Sequence, residues 1–247
     1  MELDGKVAIV YGAGGSMGGA VARAFGRAGA RLYLAGRTRS SVEAVADELG
    51  GEHPPDVDDL DVDDLDAVRR HAVRVVAEAG RLDISFNGVG MGDVQGVPLH
   101  EMRLEDFMFP IEQAARRHFA TTTAAARKMI PQGSGVIVML TSSAAREWRH
   151  RMGGFSVACG TIETLNRTLA GELKGTGVRT VCIRANFTPE TMPEVAQEGA
   201  EPLLDDTLVP RLPRLAEIGA AAVYAASDAA GATTGAILDL TCGAIVA

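Results

Sequence analysis

Val7-Ala-Ile-Val-Tyr-Gly-Ala-Gly-Gly-Ser-Met-Gly18 is the stretch on which the fold turns. The run from Val7 to Tyr11 is short and apolar, the pattern of a strand buried on both faces. It ends in glycines, and helical periodicity follows over 17–28, with Gly29 as a stop. Glycines at such a turn permit positive φ and let a diphosphate approach the backbone, while the helix N-terminus supplies free N–H groups and a partial positive charge. Gly12, Gly14, Gly15, Ser16, Met17 and Gly18 are therefore candidate phosphate-binding residues; the alternative is a merely tight turn.

Outward from that turn, strand-like and helix-like segments alternate to the end of the chain. Strands are expected over 7–11, 31–35, 56–60, 82–86, 135–140, 178–183 and 237–240. Helices are expected over 17–28, 40–49, 65–79, 105–130, 153–173 and 216–226. Ser40 and Glu43 have capping-box spacing. Pro110 is expected to kink or delay the fourth helix, and Pro131 to end it. Residues 186–214, with Pro189, Pro193, Pro202, Pro210 and Pro213, read as a mobile flap over a substrate site. The whole predicts one α/β domain over 1–247, a doubly wound seven-stranded parallel sheet flanked by helices.

Composition narrows the function. An apolar fraction of 47% is ample for a full core, and a net charge of −8 argues against a nucleic-acid surface. No apolar run reaches the roughly 18–20 residues of a membrane span, and the N-terminus enters a strand without a signal peptide. Cys159, Cys182 and Cys242 are odd in number and far apart, as expected of buried hydrophobes in a reducing cytoplasm. No metal-ligand spacing occurs.

Val10-Tyr-Gly-Ala-Gly-Gly-Ser-Met-Gly18 resembles the T-G-x-x-x-G-x-G signature of the short-chain dehydrogenase/reductase family, with Tyr11 and Ser16 replacing its threonine and middle glycine. Asp61-Val62 resembles that family's adenine-contacting pair, and Asn87-Gly-Val-Gly90 its Asn-Asn-Ala-Gly motif, altered at Gly88 and Val89. The segment from Thr234 to Gly243 resembles its T-G-x-x-x-x-V-D-G-G ending, so the likeness covers about 5–243. The resemblance implies a Rossmann fold, a nicotinamide cofactor, a small-molecule substrate and a homodimer or homotetramer packed through the helices near 105–130 and 153–173. Where NAD-preferring members carry an acid, this chain has Gly36-Arg-Thr-Arg39. Arg37 and Arg39, with Thr38 between them, are either ordinary surface residues or a clamp for a 2′-phosphate; the second reading favours NADP(H) over NAD(H).

In that family a tyrosine exchanges the substrate proton, a lysine lowers its pKa, a serine binds the carbonyl and an asparagine anchors a relay water. Ser142 matches the serine, because it precedes Phe155 by thirteen positions. Phe155 and Cys159 stand at the tyrosine and lysine positions, Ala114 at the asparagine, and Thr188 replaces an isoleucine whose backbone meets the nicotinamide. Three of the four catalytic positions are thus substituted.

Three functions remain open. One is an NADP(H)-binding pseudoenzyme with weak, atypical or absent oxidoreductase activity. A second is an active oxidoreductase whose proton comes from His150 or water. The third is a lyase or cyclase using the old cleft. The segment Arg146-Glu-Trp-Arg-His-Arg151 is expected to face the cleft, either as an anion pocket with His150 as acid or base, or as a solvated loop pairing with acids of a neighbouring subunit.

Overall fold

The computed structural model describes residues 1–50, 54–191 and 201–246. Seven strands form one sheet: β1 (Val7–Tyr11), β2 (Arg31–Gly36), β3 (Asp56–Asp59), β4 (Ile84–Asn87), β5 (Gly135–Ser142), β6 (Val178–Ala185) and β7 (Ala236–Leu240). Their order is β3-β2-β1-β4-β5-β6-β7, and every pairing is parallel. The seven-stranded doubly wound sheet is therefore present as expected.

Helices α1 (Ser16–Arg27), α2 (Arg39–Leu49), α3 (Leu65–Ala79), α4 (Leu104–Gln132), α5 (Gly154–Glu172) and α6 (Leu215–Ala226) cover the sheet. One face packs Val21, Phe25, Val42, Val45, Ile218 and Ala222 of α1, α2 and α6. The other packs Val68, Val75, Ala120, Ala124, Met129 and Leu169 of α3, α4 and α5. A parallel strand covered on both faces must be apolar throughout, and all five residues of β1 are buried. The strand order reverses between β1 and β4. In sheets of this kind a crevice opens there, beyond the carboxyl ends of the strands.

Local chemistry sets both ends of α3. Asp64 Oδ1 accepts from the N–H groups of Asp66 (3.0 Å) and Ala67 (2.9 Å), which starts α3. Gly80 ends it with φ +77°. Two expectations fail. The Ser40–Glu43 capping box does not form: α2 begins at Arg39, and Glu43 instead accepts from Arg39 Nε at 2.7 Å, an i,i+4 pair. Neither Pro110 nor Pro131 limits α4, which runs through both to a left-handed Gly133. Pro131 lies within the last turn, where little helix remains to disturb. Pro110 is buried against α5. Of the flap read over 186–214, residues 192–200, with Pro193, lie outside the described residues. On either side stand a 3-10 turn, Pro189–Thr191, and a short helix, Glu201–Leu204.

The crossing of α4 and α5 sets where α5 begins. A Cβ on Gly154 would lie 1.9 Å from the Phe107 carbonyl oxygen, so the first turn of α5, with Phe155, seats directly on α4. Gly154→Ala should therefore cost about 1–3 kcal/mol, the range for forced overpacking. Chemical denaturation checks this, and an unchanged midpoint would refute the close approach.

Candidate functional site

Two cavities lie at the carboxyl edge of the sheet, on either side of the β4 exit. The first, about 250 Å³, is bounded by the β1–α1 turn (Gly12, Gly14, Gly15), by Arg37, Thr38 and Ser41 after β2, and by Leu60 and Val62 after β3. The second, about 240 Å³, is bounded by Met17, Met91, Ser142, Phe155, Cys159 and Asn186, among others. Gly88, Val89 and Gly90 form a wall of both, so the two make one groove over the switch point.

The β1–α1 turn is shaped by contacts that leave no room for a side chain. A Cβ on Gly18 would fall 2.1 Å from the Gly12 carbonyl oxygen. One on Gly12, whose φ is +78°, would fall 2.8 Å from the Gly88 carbonyl oxygen. Gly15 is the N-cap of α1 and offers no side-chain cap, which leaves the first-turn N–H groups directed at the cavity mouth. Ser16, the first residue of α1, is exposed and Met17 half-buried. Tyr11, in place of the family's threonine, turns away from the groove. It is fully buried against His71 (ring centroids 5.8 Å apart), its hydroxyl has no partner among the described residues, and burial pushes its phenol pKa up.

The arginines separate. Arg37 and Thr38 line the first cavity. Arg37 has no ion-pair partner among the described residues. Arg39 does not line it: Nε donates to Glu43, and Nη1 reaches the Val57 carbonyl at 3.5 Å. Val62 is buried in the cavity wall, while Asp61 is exposed and accepts from the Asp63 N–H at 3.0 Å. Asn87, 2% exposed, holds the wall itself. Its Nδ2 donates to Thr121 Oγ1 (2.8 Å) and the Arg117 carbonyl (3.4 Å), and its Oδ1 accepts from the Val89 N–H (3.0 Å).

In the second cavity Ser142 ends β5, and its Oγ accepts from the Ala144 N–H at 3.3 Å. Phe155 is half-buried beside it, one turn before the fully buried Cys159. Burial pushes the Cys159 thiol up to about 12, so it is a thiol and not a nucleophilic thiolate near neutrality. Ala114 is buried in a small cluster with Met139, Ala158, Ile162 and Cys182. Thr188 is buried outside the cavity lining, its hydroxyl donating to the Asn186 carbonyl at 3.1 Å.

His150 is not brought to this cavity. It lines a small recess behind Asn186, with Nε2 at 3.0 Å from Asp206 Oδ2 and 3.7 Å from Glu147 Oε2. Two of the three arginines of the same loop pair with acids of their own chain: Arg149 with Asp206 and Glu147, Arg146 with Glu163. Trp148 projects from that loop, 87% exposed. Ala185 and Asn186, which stand where the family has Pro-Gly, line the second cavity, whereas sequence reasoning missed Ser41 and Met91 as lining residues. It also missed Arg117, whose partner Asp63 lies 54 positions away, a separation that leaves no local signal. No group of three or more potential metal ligands occurs among the described residues, and none of their helices is long and apolar enough to cross a membrane.

Comparison with known proteins agrees with this geometry. The family model described as enoyl-(acyl carrier protein) reductase matches residues 12–244. The chain is 32% identical to D-threitol dehydrogenase of Mycolicibacterium smegmatis, over 96% of this chain and 92% of that one. It is 31% identical to galactitol 2-dehydrogenase (L-tagatose-forming) of Cereibacter sphaeroides, over 96% and 94%. Its fold superposes on an NAD+-bound xylitol dehydrogenase with a TM-score of 0.89, at 24% identity, covering 98% of this chain and all of that one. A match that runs from the glycine turn to the last strand, in sequence and in structure alike, means that the chain belongs to the short-chain dehydrogenase/reductase family.

Proposed function

We propose that the chain binds NADP(H) along this groove and lacks the family's Tyr–Lys proton transfer, so that its oxidoreductase activity is weak, atypical or absent. One observation carries the reading: of the side chains lining the second cavity, none is an acid or base that ionises near neutral pH. Ser142 and Thr141 can donate hydrogen bonds to a carbonyl but cannot give up a proton at that pH. Phe155 has no proton to give, and Cys159 is locked as a thiol.

The residues present fit a dinucleotide. A diphosphate would meet the uncapped N-terminus of α1 over Gly14 and Gly15, the adenine would sit against Val62, and the nicotinamide end would enter between Met17, Ser142 and Phe155. Bound nicotinamide supplies a hydride acceptor or donor. This chain's part is to orient it and to keep water from it. General acid–base catalysis typically contributes about 10²–10⁴-fold in rate, which is the deficit expected against a reductase with the usual pair. His150 is held by Asp206 and Glu147 outside the cavity, so no observation favours it as the replacement donor. Arg37, facing the first cavity without an acid of its own, supports a 2′-phosphate ligand; Arg39, held by Glu43, does not contribute to it.

The exposed Phe109, Phe119 and Val157 on α4 and α5 support the further reading that the chain is a homodimer or homotetramer. Sedimentation velocity should give at least twice the chain mass of 25.8 kDa, and a stable monomer at micromolar concentration would refute it.

Two outcomes test the central reading. NADPH, followed by its own fluorescence, should bind more tightly than NADH. Arg37→Ala should weaken NADPH about tenfold or more, as expected for a charge-assisted contact of 1.5–3 kcal/mol, and leave NADH nearly unchanged. Equal losses for both coenzymes would remove Arg37 from the phosphate site. Across a carbonyl panel the natural chain should oxidise NADPH barely above background. Phe155→Tyr with Cys159→Lys should raise that rate measurably. No gain in a double variant with native circular dichroism and intact NADPH binding would mean that the nicotinamide does not face this cavity.

A further inference from the structure

Arg117 lies in the middle of α4, yet its side chain is only 7% exposed. Nε and Nη2 donate to the two carboxylate oxygens of Asp63, at 2.9 and 2.8 Å. Nη1 donates to the carbonyl of Gly90. Asp63 directly follows Val62 in the adenine-side wall, and Gly90 belongs to the wall shared by both cavities. At the same point on the helix the Arg117 carbonyl accepts from Asn87 Nδ2. One guanidinium thus ties the loop after β3 to the loop after β4, across the base of the groove.

The tie has a second effect. Asp63 is held below the usual carboxylate range, first by its hydrogen bonds to Arg117 and more weakly by the nearby charges of Arg37 and Arg116. Arg37 is therefore within electrostatic reach of an acid already satisfied by Arg117. Arg37 also lines the same cavity as Val62, the residue before Asp63, so loss of Arg117 would leave Asp63 facing Arg37, with Arg116 the other cation nearby.

We propose that Arg117 is a positioning residue of the coenzyme groove: it fixes the spacing of the two walls and, by occupying Asp63, leaves Arg37 free for the phosphate of NADP(H). This rests on the coenzyme reading above. A planar fork suits both tasks, because it meets a carboxylate with two parallel bonds and keeps a further N–H for the carbonyl. A lysine ammonium can satisfy the acid but cannot span both partners.

The test is a titration of the full chain with NADPH and with NADH. Arg117→Met should weaken NADPH at least tenfold and NADH less, lowering the NADPH:NADH preference. Arg117→Met with Asp63→Asn should restore the preference ratio, because no acid remains to capture Arg37, while both affinities stay below those of the natural chain. Arg117→Lys, which keeps a charge on Asp63, should weaken both coenzymes by similar factors and preserve the ratio. Were Arg117→Met not to fold, Arg117→Gln, which keeps a donor for the Gly90 carbonyl but leaves Asp63 without a cation, would decide: a lowered NADPH:NADH ratio supports the tie, and an equal loss for both coenzymes overturns it. Affinities within twofold of the natural chain in a folded variant overturn it. So does an Arg117→Met loss that is equal for both coenzymes, which is what a merely structural residue would give. If the unmodified chain binds neither coenzyme, the coenzyme reading falls first, before any variant is needed.

Discussion

Backbone approaching backbone is the constraint on which this molecule depends. The turn after β1 is folded so tightly that its own carbonyl occupies the space a Gly18 methyl group would need, and the same turn abuts the loop leaving β4. Side chains cannot substitute for such contacts, because close-packed interiors tolerate little added volume. The result is a shallow channel floored by peptide groups. Its polar character comes from N–H groups, a helix terminus and the guanidinium of Arg37. Asn87 and Arg117 then hold the second wall at a fixed distance, each through buried hydrogen bonds between strand, loop and helix.

Charge in this chain is spent on architecture. Arg184, 6% exposed on its side chain, makes two 2.8 Å bonds to Glu163 and one of 2.9 Å to Asp239, fastening β6 to α5 and β7. Arg149 and His150 fasten the loop after β5 to Asp206. Buried ions of this kind need pairing to be tolerated, and Arg184 has it at all three guanidinium nitrogens. The second cavity is the counterpart: lined by methionine, phenylalanine, alanine and small hydroxyl groups, it has no ion to polarise a reacting bond. A neutral, largely apolar recess beside a polar groove suits recognition of a coenzyme better than rapid proton exchange.

The fold was legible because its signals are local. Apolar runs of strand length, helical stripes and glycine stops recur in an order that admits one topology, and the strand boundaries agree within about two residues. The groove was legible for the same reason at the β1–α1 turn and at Arg37 and Val62. What escaped was decided at long range. Arg39 is the exception, because its partner Glu43 stands at the local i,i+4 spacing that Arg37 lacks. The fate of His150 depended on Asp206, 56 positions later, and that of Arg117 on Asp63. Pro110 misled because a proline's missing N–H breaks a helix only where no other packing sustains it, and α4 is sustained by burial against α5.

Trp148 is the chain's single indole, and it stands almost wholly in water while the protein is folded. Its emission is therefore already that of a solvated ring, and unfolding has little left to change. Intrinsic tryptophan light from this protein is a report on the mobility and neighbours of one surface loop. Of the three tyrosines, Tyr11 and Tyr33 are sealed within the core and carry an optical record of the interior, whereas Tyr224 on α6 is exposed.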